Sequence, residues 1–171
     1  MMKIRLLLLA LVIFTALQCR SITKGLQIGD KAPEFSLLNQ DGNIVNLSDF
    51  KGKIVALYFY PKDSTPGCTQ QACSLRDGFE LLRAADITVL GVSKGSVKSK
   101  QKFINKQHLS FPLLIATKDV LNAYGVNTGL TRLYLPKRWT FLIDENGKMV
   151  DRIAIIYDHA LIDKIVKGFG I

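Results

Sequence analysis

The feature that most constrains the fold is a continuous apolar run from Lys53 to Tyr60, which reads K-I-V-A-L-Y-F-Y. The run is rich in the β-branched and aromatic residues that favour strands. An apolar run without alternating polar positions is typical of a strand that is buried on both faces. The sequence therefore predicts a central strand with further layers of structure on either side of it.

Predicted strands, loops and helices precede and follow this strand in the sequence. Further strands are predicted over 32–38, 44–47, 88–93, 139–143 and 148–156, with tight turns at 41–42 and 144–147. Residues 61–67 contain two prolines and a glycine, which predicts a loop. Helices are predicted over 68–85, 96–108, 119–124 and 159–169, with Ser96 as a helix cap. This order predicts an α/β fold, a mixed central sheet with helices on both faces.

The length and composition predict one domain with an N-terminal extension. The chain has 171 residues, of which 48% are hydrophobic and 22% are charged, the balance of a globular domain with a core. Three cysteines are too few for a scaffold that depends on disulfides. We therefore predict a targeting segment over 1–21, one compact domain over 22–171, and a role for the cysteines in thiol chemistry.

The first residues of the chain resemble an export signal. Residues 1–5 are short and basic, and residues 6–17 are apolar except for Thr15. Twelve residues span about 18 Å as a helix, which is shorter than the roughly 30 Å hydrocarbon core of a membrane. A signal peptide fits this length, with cleavage before Ile22, or before Cys19 if that cysteine carries a lipid. The prediction is export to the periplasm or cell envelope, and membrane association through this segment stays open.

The formal charge is +9, from 23 basic and 14 acidic residues. This excess favours contact with anionic surfaces but does not require nucleic acid. One stretch is basic and contains no acid: Lys94, Lys98, Lys100, Lys102 and Lys106. No aromatic or arginine side chain alternates with these lysines to stack on bases, so the stretch predicts a solvated helix face and no nucleic-acid partner.

The chemistry is concentrated in residues 61–77, which read P-K-D-S-T-P-G-C-T-Q-Q-A-C-S-L-R-D. Cys68 stands where a loop enters a helix, and there the backbone N–H groups and the helix dipole favour a thiolate, which is the nucleophilic form. Thr65 is close enough in sequence to reach the same pocket, and Pro61 constrains the loop. The alternative is an inert, buried cysteine.

These residues resemble the active-site signature of the peroxiredoxins of the Q, or bacterioferritin-comigratory-protein, type. Pro61, Thr65 and Cys68 match its P-x-x-x-T-x-x-C pattern, and Cys73 stands where the Q type has its second cysteine. The run 138–144, R-W-T-F-L-I-D, resembles a second family segment and places Arg138 on the active-site arginine. The resemblance extends from about residue 26 to the C-terminus and implies a thioredoxin-like fold and thiol-dependent reduction of peroxides.

The resemblance also implies a role for each matched residue. The Cys68 thiolate attacks the peroxide, while Arg138 stabilises the developing charge and Thr65 orients the substrate. Cys73 captures the sulfenic acid as a disulfide, which a thioredoxin-like dithiol reductant reopens. No cofactor or metal is needed, and the expected state is a monomer. Gln71 replaces the usual glutamate of the family, which predicts a weaker link to the arginine.

Three alternative interpretations involve the same two cysteines. An exported thiol–disulfide oxidoreductase requires C-x-x-C, whereas Cys68 and Cys73 are separated by four residues. A metal site formed by these two cysteines with His108 and His159 lacks ligand spacing. A redox sensor or holdase that uses the same pair of cysteines stays open, and it differs from a peroxidase in that it does not consume peroxide in molar excess.

Overall fold

The computed structural model describes residues 26–129, 135–154 and 160–171. The strands of these residues are β1 (Ser36–Leu38), β2 (Ile44–Asn46), β3 (Ile54–Lys62), β4 (Ile87–Lys94), β5 (Leu113–Ile115), β6 (Trp139–Ile143) and β7 (Met149–Ala154). The α-helices are α1 (Pro66–Asp77), α2 (Phe79–Ala84), α3 (Val97–Gln107), α4 (Lys118–Ala123) and α5 (Ala160–Gly168), and a 3₁₀ turn covers Leu47–Phe50.

Strand β3 lies at the centre of a five-stranded mixed sheet with the order β5-β4-β3-β6-β7. It runs parallel to β4 and antiparallel to β6, and it is buried from Val55 to Tyr60. The predicted central strand is therefore confirmed. Strands β1 and β2 form a separate antiparallel hairpin, as the turn at 41–42 predicted.

The side chains of β3 alternate between two cores on opposite faces of the sheet. Val55, Leu57 and Phe59 face a cluster that includes the first hairpin and helix α4. Tyr58 and Tyr60 face the other cluster, which is formed with helices α1, α2, α3 and α5. The expectation of helices on both faces is confirmed.

The predicted boundaries around the cysteines are wrong in three places. Strand β3 continues through Pro61 to Lys62, with a shift of register against β4, and helix α1 already begins at Pro66. Proline fits the first position of a helix because the N–H it lacks has no partner there. The single helix predicted over 68–85 is interrupted at Gly78, which packs so closely on Ile162 of α5 that a Cβ would lie 2.5 Å from that side chain.

The prediction of a solvated helix face is right for three of the five lysines in the basic stretch. Lys98, Lys102 and Lys106 are exposed on helix α3, but Lys100 is completely buried, and Lys94 is half-buried at the end of strand β4. The cap of this helix is confirmed, because the Ser99 N–H donates to the Ser96 hydroxyl at 3.2 Å.

Some predictions fall outside the described residues. The targeting segment over 1–21 and His159 both lie there. Within the part that the structure describes, no helix is long and apolar enough to cross a membrane.

Candidate active site

The start of helix α1 places Cys68 directly against the sheet. Thr65 is the N-cap, with extended backbone angles, and the first helical hydrogen bond runs from the Thr69 N–H to the Thr65 carbonyl over 2.8 Å. Cys68 lies within this first turn, and its side chain is 1% exposed. Because N–H groups before the first helical bond point out of the helix end, the sulfur lies at the positive end of the helix dipole.

Arg138 brings a positive charge to the Cys68 sulfur. It immediately precedes β6, and the pairing of Phe59 with Trp139 positions this strand end beside β3. The Arg138 Nη2 donates to the Cys68 Sγ at 3.4 Å. The guanidinium therefore places a positive charge and a hydrogen-bond donor directly against this sulfur.

Gln71 holds the same arginine from the other side. It is buried, one turn after Cys68, and its Oε1 accepts a hydrogen bond from Arg138 Nη1 at 3.1 Å. The amide therefore keeps the contact that a glutamate would make, but without a negative charge beside the sulfur. The structure brings Cys68, Gln71 and Arg138 together.

The other loop residues predicted for the site flank this group. The Thr65 hydroxyl donates to the Lys62 carbonyl at 3.2 Å, which closes the turn before the helix. Pro61 is half-buried at the end of β3, where the register with β4 shifts. Both residues shape the backbone that leads into Cys68.

Cys73 lies on the same helix but in different surroundings. It is partly exposed, and its thiol donates to Gln107 Oε1 at the end of α3 over 3.6 Å. The Gln107 carbonyl also accepts from Arg76 Nη1 at 2.7 Å. Both cysteines are free thiols. Cys73 therefore faces helix α3, whereas Cys68 faces the end of β6.

A buried ion pair beneath the loop was missed by the sequence reasoning. Lys100 Nζ contacts Asp63 Oδ1 at 2.8 Å, and both side chains are buried. The carboxylate also accepts from the hydroxyls of Tyr60 at 2.8 Å, Ser99 at 2.8 Å and Ser93 at 3.2 Å. Burial lowers the pKa of Lys100, and the charge of Asp63 opposes that shift.

This polar cluster anchors the turn that precedes the reactive cysteine. Asp63 is followed by Ser64, which has a φ of 60°, in the left-handed region that non-glycine residues rarely occupy. The four donors to Asp63 hold the chain in this conformation. A signal for the buried lysine exists in the sequence, because Lys100 is one helical turn before the apolar Phe103 and so shares its face.

No metal centre is formed by the described part of the chain, in which no three His, Cys, Asp and Glu side chains cluster as ligands. His108 ends helix α3 in a left-handed conformation and is exposed.

Comparison with known proteins gives a consistent result. Residues 28–152 match the AhpC/TSA family. The putative peroxiredoxin bcp of Coxiella burnetii is 48% identical over 128 residues, which cover 71% of this chain and 84% of the relative. Peroxiredoxin Bcp of Bacillus subtilis is 39% identical over 141 residues, which cover 78% of this chain and 90% of the relative.

Solved structures agree with the sequence comparison. Peroxidoxin BcpB from Mycobacterium tuberculosis superimposes with a TM-score of 0.78 at 32% identity, covering 85% of this chain and 97% of that one. A mutant of PrxQ from Xylella fastidiosa gives a TM-score of 0.77 at 28% identity, covering 86% and 98% of the two chains.

Proposed function

The chain belongs to the AhpC/TSA family and is a thiol-dependent peroxidase of the Bcp/peroxiredoxin Q type with a thioredoxin-like fold, and from that premise we propose that Cys68 is the thiol that attacks the peroxide. The observation that carries this assignment is the contact of 3.4 Å between the Cys68 sulfur and Arg138, at the start of a helix. Cys73 has neither feature.

The attack transfers one oxygen to sulfur. The Cys68 thiolate attacks the terminal oxygen of hydrogen peroxide or an organic hydroperoxide, the O–O bond breaks, and the other oxygen leaves as hydroxide or alkoxide. Negative charge moves from sulfur to the leaving oxygen, so donors aimed at this path lower the barrier. Arg138 and the N–H groups of the first turn supply these donors, and the Thr65 oxygen orients the substrate. Gln71 holds the arginine, and Pro61 fixes the shape of the loop.

The product is a sulfenic acid on Cys68, which Cys73 resolves. The Cys73 sulfur attacks the Cys68 sulfur, a disulfide forms, and the sulfenic oxygen leaves as water. A dithiol protein of the thioredoxin type then reduces the disulfide by exchange, which restores both thiols. The free thiols of the structure correspond to the beginning of this cycle.

Formation of the disulfide requires helix α1 to open. Both cysteines lie within Pro66–Asp77. An α-helix separates residues five positions apart by about 7.5 Å of rise and about 140° of rotation, which puts their Cα atoms about 8.6 Å apart. A disulfide seldom spans more than about 7 Å between Cα atoms. The wound helix that prepares Cys68 for attack is therefore incompatible with the Cys68–Cys73 bond.

Hydrogen exchange tests this opening. We expect the amides from Cys68 to Arg76 to lose protection in the disulfide form, because the turns between the cysteines must unwind locally. The comparison uses the reduced and oxidised protein, with the bond proven by mass spectrometry. Equal protection in both states would contradict the required unwinding.

Peroxide consumption distinguishes an enzyme that turns over from a sensor or holdase. With thioredoxin and thioredoxin reductase, we expect the purified protein to consume peroxide in large molar excess over its cysteines. Oxidation that stops at one equivalent per chain, because the reductant leaves the disulfide intact, would instead support the sensor. Omission of thioredoxin is the control for direct reaction with the reductase.

We further propose that the mature protein is exported and begins between Cys19 and Lys24. The basic and apolar residues of segment 1–21 support this proposal, as does the length of the apolar run. Mass spectrometry of the native protein from fractionated cells tests it. A chain that retains Met1 in a cytoplasmic fraction would contradict export, and an added mass of acyl chains on Cys19 would establish lipid anchoring.

The proposed oligomeric state is a monomer, which the resemblance to the Q type supports. Light scattering of the reduced and the oxidised protein tests it, since a mass near twice 19.0 kDa in either state would show a dimer.

A further inference from the structure

Tyr58 is tightly packed in the middle of β3, in the core that the sheet forms with helix α1. Its ring stacks on Tyr60 with centroids 5.2 Å apart and meets the edge of Phe111 at 5.9 Å. The paired residue on β4 is Gly91, where a Cβ would lie 2.7 Å from the Tyr58 ring. The absence of a side chain at Gly91 therefore makes room for the ring, and three neighbours fix its orientation.

The two stacked tyrosines differ in what their hydroxyls do. The Tyr60 hydroxyl donates to Asp63 at 2.8 Å and accepts from Lys100 at 3.3 Å. The Tyr58 hydroxyl is buried, and no residue of the described ranges 26–129, 135–154 and 160–171 hydrogen-bonds with it. A buried donor without a partner destabilises the conformation that contains it. A phenylalanine would fill the same space without this cost.

The Tyr58 side chain lies in the same core as helix α1, which carries both cysteines. Tyr58 belongs to the same buried cluster as Cys68, Ala72 and Leu75 of helix α1. Burial raises the pKa of Tyr58 well above its ordinary value, and the charges of Asp63, Cys68 and Cys73 raise it further. The hydroxyl therefore keeps its proton throughout the cycle and remains a donor in need of an acceptor.

We propose that Tyr58 is a positioning residue for the disulfide step, because its unpartnered hydroxyl favours the opening of helix α1. With the helix wound, the hydroxyl is buried without a hydrogen-bond partner in the described residues. When the turns between Cys68 and Cys73 unwind, the cover over the ring is removed and the hydroxyl reaches solvent. The opened state gains a hydrogen bond that the wound state lacks. This inference rests on the proposed function, in which Cys68 and Cys73 form a disulfide.

The test uses Tyr58→Phe, with Tyr124→Phe as the matched control, because the Tyr124 hydroxyl donates to the Pro33 carbonyl at 2.8 Å in the core on the other face of the sheet. Rapid mixing with one equivalent of hydrogen peroxide separates the oxidation of Cys68 from disulfide formation. In Tyr58→Phe we expect oxidation within about twofold of the wild type and disulfide formation that is roughly five- to tenfold slower. Excess peroxide then produces more sulfinic acid on Cys68, because the sulfenic acid persists longer.

Two further measurements separate this role from a general effect on packing. Tyr58→Phe should raise the melting temperature and slow hydrogen exchange of the amides between the cysteines in the reduced protein. Tyr124→Phe removes a satisfied hydroxyl, so it should lower the melting temperature without slowing the disulfide step. If Tyr58→Phe forms the disulfide at the wild-type rate, or if the amides between its cysteines exchange at the wild-type rate, the inference is overturned and the proposed function still stands. A wild-type protein that forms no Cys68–Cys73 bond would overturn the inference together with the proposed resolving role of Cys73.

Discussion

The two cysteines of helix α1 are separated by about 1.4 turns, and their surroundings are opposite in kind. Cys68 is 1% exposed, lies at the helix start and receives a hydrogen bond from Arg138 at 3.4 Å. Cys73 is partly exposed, and its thiol contacts one side-chain oxygen, of Gln107, over 3.6 Å. One sulfur is buried beside a charged donor, whereas the other is held by a weak contact between two helices.

This difference indicates how one helix serves two successive reactions. The peroxide step needs the sulfur, the guanidinium and the helix start in fixed positions, because preorganised donors contribute most when they do not have to move. The disulfide step needs Cys73 to leave its place, so a strong contact there would slow the cycle. Reactivity is therefore built into the start of the helix, and mobility is expected in the turns that follow it.

The largest effect on peroxide consumption is expected when each cysteine is replaced by serine in turn. Cys68→Ser should lower peroxide consumption by at least about a thousandfold, since serine is not a thiolate at neutral pH. Cys73→Ser should still be oxidised once by peroxide and accumulate a sulfenic acid that is trapped by a thiol-reactive probe. Near-normal turnover in Cys68→Ser, with its fold retained by circular dichroism, would remove Cys68 from its proposed role.

The next effect concerns the buried ion pair between Lys100 and Asp63, which anchors the turn before helix α1. Lys100→Met should lower the free energy of unfolding by about 3–5 kcal/mol, because it leaves the buried Asp63 carboxylate without its counter-charge. The measurement is urea denaturation of the reduced protein. Lys102→Met is the matched control on the same helix, and it should stay within about 0.5 kcal/mol of the wild type because Lys102 is exposed.

A double variant then isolates the pair itself. Lys100→Met combined with Asp63→Leu should lose less stability than the sum of the two single variants, because neither charge remains buried alone. Strict additivity would show that the two charges do not interact in the folded protein.

Arg138→Ala should slow the attack of Cys68 on peroxide and leave disulfide formation nearly unchanged. Loss of a hydrogen bond to a charged group costs about 1.5–3 kcal/mol, which corresponds to a rate constant for peroxide roughly 10–100-fold lower. The control is Arg152→Ala, since Arg152 stacks on Trp139 at 4.3 Å, beside the site. A rate constant for peroxide within twofold of the wild type in Arg138→Ala would count against its role at the sulfur.

The sequence could predict the centre of the fold and the reactive half of the site, but not the contacts between distant residues. The apolar run of β3 and the match to a family signature predicted the central strand and the residues Cys68 and Arg138. Periodicity did not predict the break at Gly78, and the close packing that excludes a side chain there involves Ile162, 84 positions further along the chain. Lys100 was assigned to a solvated face for a similar reason. Its partner Asp63 is 37 residues away, and only the folded arrangement brings the two charges together.

The smallest expected effect comes from releasing Cys73 from helix α3. Gln107→Leu removes the acceptor of the Cys73 thiol but leaves the backbone carbonyl that binds Arg76. A thiol is a weak donor, so its bond contributes at the lower end of the range for hydrogen bonds, about 0.5 kcal/mol. Without this contact the helix opens more readily, and disulfide formation should become about two- to threefold faster while the peroxide step stays the same.

Rapid mixing with peroxide, followed by alkylation and mass spectrometry at each time point, measures both steps of this variant. Gln101→Leu is the matched control, because Gln101 is exposed on the same helix and belongs to neither cysteine's surroundings. Slower disulfide formation in Gln107→Leu would mean that the glutamine guides Cys73 toward its target and does not restrain it. The second half of the helix would then be preorganised as well, and the two cysteines would differ in burial and in the contact with Arg138 but not in how firmly each is held.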